Sequence, residues 1–241
     1  MRVRILSYWK KFKRSDNREA QWHFYKTMNE PVRINTFTLL TATATVATVE
    51  IIAGLLIPVA PWPAIVITCI ARFSQSLMLL FLVRLTGKGL ESVRLYPKKW
   101  KKGIKRGLVW SFFFGLATLL VFLALRLLEI DPLLLVRTNI PDYPHRTVMF
   151  FIAAGFIGPI AEEILFRGII YGFFRRWGII YALLGSTLAF VSAHAYLSGV
   201  PLPQIAGGLL FALAYELEQD IMVPITIHVL GNLALLSLSL F

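Results

Sequence analysis

Long apolar stretches alternate with short polar ones along most of the chain. A helix needs about 20 residues to cross ~30 Å of hydrocarbon, so each such stretch is a candidate membrane span. The sixth has only 14 residues and would reach about 21 Å, which leaves open a re-entrant segment or a helix extended by its flanks. The seven stretches lie near 37–58, 64–85, 107–128, 147–174, 179–197, 204–217 and 221–240.

The composition excludes a soluble globule. Hydrophobic residues make up 57% of the 241 residues and charged residues 16%, more apolar surface than a globule of this size can hide from water. We therefore predict an all-α fold, a polytopic integral membrane bundle of about seven helices, with six to eight as the range. The one cysteine, Cys69, excludes an internal disulfide framework and any multi-cysteine metal site.

The placement of positive charge predicts the orientation. The net charge is +12, which in a soluble protein suggests nucleic acid; here the basic residues flank apolar spans, and we expect no nucleic-acid partner. Residues 1–33 carry nine Lys and Arg against three acids, and residues 84–106 carry nine against one. Basic loops stay on the cytoplasmic side, so we expect a multi-pass protein with a cytoplasmic N terminus, in the plasma (inner) membrane.

These features divide the chain into three parts. Residues 1–36 form a basic cytoplasmic tail, residues 37–146 form three helices with the basic loop 84–106, and residues 147–241 form the membrane core. The tail is either an ordinary solvated segment or, with the loop, a docking surface for an acidic protein or anionic lipid. The lipid bilayer is the expected surrounding of the rest.

Charged residues within the first spans have a structural explanation. Glu50 and Arg72 each lie eight residues from the turn that joins the first two spans, at a matching depth of about 12 Å. An ion pair that fixes the register of a helix hairpin accounts for both, and a proton relay is the alternative. Glu129 follows Arg126 by three residues near a span end and is interpreted as a surface pair.

The fourth span contains two adjacent carboxylates and an arginine. Glu163 and Arg167 are four residues apart on one helical face, where the guanidinium can hold this carboxylate ionised. Glu162 points about 100° away from that face. It must therefore meet a polar group on a neighbouring helix.

Two later spans supply such groups. Phe190 and His194 are four residues apart, as are His228 and Asn232. With the predicted topology, Glu162, His194, His228 and Asn232 lie about 18, 24, 12 and 18 Å from the inner boundary, which is one layer within boundary error. A carboxylate beside a histidine can take a proton from water, and two further donors can stabilise an oxyanion. Singly, each polar group is more typical of a hydrogen bond between helices.

Three motifs carry a family resemblance. Glu-Glu-x-x-x-Arg at 162–167, Phe-x-x-x-His at 190–194 and His-x-x-x-Asn at 228–232 resemble those of the CAAX protease and bacteriocin-processing (CPBP, or ABI) family. The resemblance covers roughly residues 147–240 and rests on all three motifs together. It implies an intramembrane endopeptidase fold, best known from the enzyme that removes the last three residues of prenylated CaaX proteins.

The resemblance also assigns roles. Glu162 would activate the water with help from His194, and His228 with Asn232 would form the oxyanion site. The implied substrate is a membrane-associated protein or peptide, possibly prenylated in the way the family's best-known substrates are. The residues implied to support the catalytic four are Glu163, Arg167 and Phe190.

Other interpretations stay open. Glu162, His194 and His228 are also a possible zinc-ligand set with an open position, although we expect no cofactor. The sequence Glu218-Gln219-Asp220 departs from the family's usual Thr-Gly turn. The competing functions are a non-catalytic scaffold, assembly or immunity factor, and a proton-coupled transporter, which is disfavoured because no inverted repeat is visible.

Overall fold

The chain forms a helical membrane bundle. The computed structural model describes residues 34–86, 89–137, 140, 144–194 and 201–240, and the predicted tail 1–36 lies almost wholly outside them. Helices α1 to α4 are long and apolar enough to cross a membrane, α3 together with its lead-in turn. Within the described ranges the helices are α1 Thr36–Leu56, α2 Ala64–Leu85, α3 Trp100–Leu127, α4 His145–Trp177, α5 Ile179–Ala193, α6 Leu202–Glu218 and α7 Met222–Leu238.

Three helix boundaries differ from the sequence prediction. Helix α3 begins at Trp100 rather than 107, because lysine and arginine are good helix formers and an apolar count stops at them. Helix α5 ends at Ala193 rather than 197. Helix α6 runs from Leu202 to Glu218, about 26 Å, so the short sixth stretch is a helix extended by its flanks.

The basic segment 84–106 is largely structured. Two 3₁₀ turns, Gly89–Val93 and Pro97–Lys99, lead into α3. They lie where α2 ends, α4 meets α5, and α6 meets α7, and we call this side of the bundle the basic end. The predicted loop is therefore an ordered part of the fold over its described residues.

Helix α4 is the centre of the bundle and is not a regular α-helix. Its α-helical stretch Gly158–Glu163 lies between two wide, π-type stretches, Phe151–Ile157 and Ile164–Tyr171. All eight residues of the second stretch are buried. Wide turns of this kind are frequent at functional sites, and the apolar pattern gives no sign of them.

Close helix contacts fix α3 against α7. A Cβ atom added at Gly103 would lie 2.6 Å from the Cβ atom of Met222, and one added at Gly107 would lie 2.5 Å from that of Thr226. Small residues at helix interfaces let membrane helices approach closely. The start of α7 is thus held at a set distance from α3.

The predicted ion pair between α1 and α2 is confirmed. Glu50 Oε1 accepts from Arg72 Nη1. Gln75, which sequence reasoning missed, joins them, since its amide donates to the same carboxylate oxygen and its carbonyl accepts from Arg72. The three groups fasten the first helix hairpin.

The predicted pairing of Glu129 with Arg126 is wrong. Arg126 Nη2 lies 2.9 Å from Asp131 Oδ1 instead. Glu129 is in the left-handed conformation, with φ 61°, where α3 has already ended. The helical i, i+3 geometry that the prediction assumed does not extend to it.

Candidate active site

A buried ion pair lies on α4. Arg167 Nη1 is 3.0 Å from Glu163 Oε1, and both side chains are fully buried, which confirms the predicted pair. Arg167 Nη2 also donates to the carbonyl of Gly208 on α6, at 3.2 Å. The guanidinium lies 4.5 Å and 5.2 Å from the ring centroids of Phe190 and Phe211. These cation–π contacts stabilise the Arg167 charge and offset part of the cost of burying it within the membrane.

The same carboxylate orients a histidine on α7. His228 Nδ1 lies 2.7 Å from Glu163 Oε1. A carboxylate paired with an arginine is ionised and only accepts, so we assign the hydrogen to Nδ1. The ring is stacked on Phe211, with centroids 4.6 Å apart. Its other nitrogen, Nε2, therefore faces Glu162.

Glu162 lies between two histidine rings. Its Oε2 is 3.7 Å from His228 Nε2 and 4.0 Å from His194 Nε2. His194 follows the last residue of α5, and its Nδ1 donates to the Phe190 carbonyl at 2.8 Å. Both rings thus present Nε2 to the same carboxylate oxygen. Both distances are longer than a direct hydrogen bond and are compatible with a water molecule that bridges the carboxylate and the rings.

Exposure separates the two glutamates. The Glu162 and His194 side chains are each 20% exposed, whereas Glu163 is fully buried and the His228 side chain is 5% exposed. The expectation that Glu162 meets polar groups on neighbouring helices is confirmed. Its carboxylate is thus partly accessible from outside the bundle, whereas that of Glu163 is not.

Asn232 and Phe190 make packing contacts. The Asn232 amide donates to the carbonyl of Ala154 on α4 at 2.8 Å. This is the helix-to-helix hydrogen bond that the structural interpretation of Asn232 expects. The Phe190 ring lies edge-on to Phe166, with centroids 5.2 Å apart, and 4.6 Å from the His194 ring.

The possible zinc ligands Glu162, His194 and His228 meet at Glu162 Oε2, with the two Nε2 atoms 4.0 and 3.7 Å away. Among the described residues, no three His, Cys, Asp or Glu side chains are grouped closely enough to hold a metal ion. His228 Nδ1 is already engaged by Glu163, so only Nε2 of that ring faces the gap.

Sequence reasoning missed a second polar cluster, at the basic end. Glu216 accepts from the Tyr171 hydroxyl at 2.8 Å and from Arg175 Nη2 at 2.9 Å, and it lies 3.8 Å from Arg94. Glu216 lies in the last turn of α6, which ends at Glu218. The four-residue spacing from Arg167 to Tyr171 to Arg175 is the signal that could have revealed a continuous polar face on α4.

The unusual turn between α6 and α7 is well ordered. Gln219 ends α6 in the left-handed conformation, with φ 53°. Glu218 lies 3.1 Å from Arg106, and Asp220 accepts from the amide of Met222. Burial raises the pKa of the Asp220 carboxyl. The turn thus contacts α3 through Glu218 and bonds the first backbone amide of α7 through Asp220.

Comparison with known proteins supports the motif analysis. Residues 144–234 match the family described as "Type II CAAX prenyl endopeptidase Rce1-like", which confirms the resemblance that the three motifs indicated. The chain is 35% identical over 92 residues to the candidate membrane peptidase YdiL of Bacillus subtilis (strain 168). It is 32% identical over 109 residues to the membrane-embedded CAAX protease MroQ of Staphylococcus aureus (strain USA300).

These similarities are partial. The YdiL alignment covers 38% of this chain and 37% of the relative, and the MroQ alignment covers 42% and 41%. The chain therefore spans about two fifths of the length of these curated relatives. No solved structure matches the chain.

Proposed function

We propose that the protein is an intramembrane endopeptidase acting on a membrane-associated protein or peptide, because residues 144–234 match the Rce1-like family. The observation that carries the proposal is the pair of histidine Nε2 atoms, 3.7 and 4.0 Å from one oxygen of Glu162. A scaffold does not need a carboxylate between two oriented histidines.

In the proposed mechanism a water molecule occupies the gap between Glu162 and the histidines. Glu162, helped by His194, takes one proton from the water as its oxygen bonds to the substrate carbonyl carbon. The tetrahedral intermediate then collapses, the carbon–nitrogen bond breaks, and the proton passes from Glu162 to the leaving amine. Water is consumed, and a carboxyl and an amine are produced.

We assign His228 and Asn232 to stabilisation of the oxyanion. The Asn232 amide carries two hydrogens, one of which bonds to Ala154, so the other can serve the substrate. His228 donates through Nε2 only when both its ring nitrogens carry hydrogen.

The proposed reaction needs no metal, and the proposed substrate carries a prenyl group, as the name of the matching family indicates. The zinc alternative predicts loss of activity on chelation and recovery on adding zinc. We also propose that the basic end faces the cytoplasm of a plasma (inner) membrane, with the N terminus on that side, because the excess of Lys and Arg in residues 84–106 lies there.

The test uses the full chain in nanodiscs and an internally quenched peptide that ends in a farnesylated Cys-aliphatic-aliphatic-Ser sequence. Because general-base catalysis contributes about 10²–10⁴-fold, we expect Glu162→Gln to lower kcat about a thousandfold with an unchanged melting temperature. Glu50→Gln is the matched control, a carboxylate removed from the same membrane by the same isosteric change. It should retain activity within about twofold.

Several outcomes decide between the hypotheses. Full activity of folded Glu162→Gln would refute the proposed mechanism. Equal cleavage of the peptide without its farnesyl group would refute the prenyl specificity but not the peptidase. An enzyme that loses activity with a chelator and regains it with zinc would replace the metal-free mechanism with the zinc alternative.

A further inference from the structure

Arg94 is a buried arginine in an unfavourable backbone conformation. It is 7% exposed and has φ 56°, in the left-handed region that residues other than glycine seldom adopt. Strain at a buried charged residue persists only where the surrounding contacts enforce it. Arg94 lies outside the family match at 144–234, and the proposed mechanism gives it no role.

The contacts of Arg94 join the end of α6 to the start of α7. Its backbone carbonyl accepts from the amide of Ile221, the residue just before α7, at 3.2 Å. Its guanidinium donates to the carbonyl of Tyr215 at 3.2 Å and lies 4.6 Å from the centre of that ring. The third contact is with Glu216, at 3.8 Å.

Glu216 extends these contacts to the helix of the candidate catalytic carboxylate. Its carboxylate binds Tyr171 and Arg175, both on α4. The neighbour of Arg94 also touches α4, since a Cβ atom added at Gly168 would lie 2.8 Å from Val93 Cβ. Arg94 therefore holds α4, α6 and the first turn of α7 together.

We propose that Arg94 is a positioning residue that sets the distance between His228 and Glu162, an inference that rests on the proposed function. His228 lies seven residues after Ile221 on α7, and Glu162 lies on α4. The carbonyl of Arg94 holds the start of α7, and its guanidinium reaches α4 through Glu216. One residue thus links the two helices whose separation defines the candidate site. A displacement of about 1 Å in such a site can cost about a hundredfold in rate.

The test replaces Arg94 by one residue that keeps its backbone conformation and by another that keeps its charge. Arg94→Asn keeps a residue type that accepts the left-handed conformation but removes the guanidinium. Arg94→Lys returns the charge without the planar fork that reaches two partners. Lys98→Asn is the matched control, because Lys98 is an exposed basic residue in the neighbouring 3₁₀ turn.

Two readouts are measured in the full chain in nanodiscs. The first is the ¹⁵N spectrum of the histidine rings, with the His228 signals assigned by comparison with His228→Gln. The second is cleavage of the quenched farnesylated peptide. For Arg94→Asn we expect shifted His228 signals and a kcat lowered about ten- to a hundredfold, with KM changed less than about threefold. Arg94→Lys should fall between Arg94→Asn and the wild type, and Lys98→Asn should match the wild type.

The His228 signals and the cleavage rate test the proposal independently. Unmoved His228 signals in Arg94→Asn would overturn the proposal whether or not the peptide is cleaved. Moved signals with an unchanged kcat would also overturn it, since Arg94 would then support the fold alone. If the wild type cleaves nothing, the proposed function fails, and the His228 signals alone decide whether Arg94 positions that ring.

Discussion

Two charged clusters of the described residues, one between α1 and α2 and one between α4 and α7, are built from similar parts. The first joins Glu50, Arg72 and Gln75 between α1 and α2. In the second, Glu163, Arg167 and His228 link α4 and α7. Each has a carboxylate, a guanidinium and a third polar group on one carboxylate oxygen, so the ion pair itself does not distinguish a functional cluster from a structural one.

Burial and the third group separate the clusters. The Glu50 and Arg72 side chains are 45% and 28% exposed, whereas Glu163 and Arg167 are fully buried. An amide such as that of Gln75 cannot carry a proton at neutral pH, while the imidazole of His228 can. The second cluster also lies beside another carboxylate. A charged cluster in a membrane thus points to chemistry when it is buried and contains a proton carrier.

The largest expected difference between the clusters is in stability. Arg167→Leu leaves the Glu163 carboxylate buried without its partner, which typically costs 3–5 kcal/mol. Arg72→Leu leaves Glu50 bonded to Gln75 and only partly buried, so its carboxylate can reorient or take up a proton more easily than the fully buried Glu163, and we expect a smaller loss. Thermal unfolding of both variants in the same detergent measures the contrast. Equal losses would mean that burial does not distinguish the two pairs.

The sequence could predict the pairs that depend on spacing or depth. Glu163 and Arg167 follow from helical periodicity, and Glu50 and Arg72 from equal distances to one turn. Contacts of residues that carry no spacing or depth signal could not be predicted in this way. Gln75 looks like any polar residue of a span, and the contacts of Arg94 depend on how a 3₁₀ turn crosses two helix ends. Their partners are set by tertiary packing, which a single sequence does not reveal.

In the candidate site, too, depth was predictable from the sequence and side-chain orientation was not. The layer that holds Glu162, His194 and His228 was predicted from helix rise and the positions of basic residues alone. Which ring nitrogen faces Glu162 was not, because it depends on the Phe190 carbonyl that the end of α5 exposes and on Glu163. The wide turns of α4 also escaped prediction, since they leave the apolar pattern unchanged.

The second expected difference between the clusters is in activity. Glu163→Gln keeps the shape of the side chain but weakens its hold on the His228 Nδ1 hydrogen. Removing a partner that orients a functional histidine typically costs about ten- to a hundredfold, so we expect kcat for the quenched peptide to fall by that factor and the pH profile to shift. Glu50→Gln should change neither. Identical profiles for Glu163→Gln and the wild type would leave Glu163 with a structural role only.

The smallest expected difference is in the effect of a glycine-to-alanine change beside each cluster. Gly54 lies four residues after Glu50, and Gly168 directly follows Arg167. A Cβ atom at Gly54 meets no atom within 4 Å, whereas one at Gly168 would lie 2.8 Å from Val93 Cβ. Gly54→Ala should therefore raise stability by about 0.5–1 kcal/mol, because alanine restricts the unfolded chain and favours the helix. Gly168→Ala should lower it by about 1–3 kcal/mol, because it forces the 89–93 turn away from α4. An unchanged or raised melting temperature of Gly168→Ala would show that the contact between α4 and the 89–93 turn yields at Gly168. Close packing there would then not be what holds the charges of Glu163 and Arg167 in place.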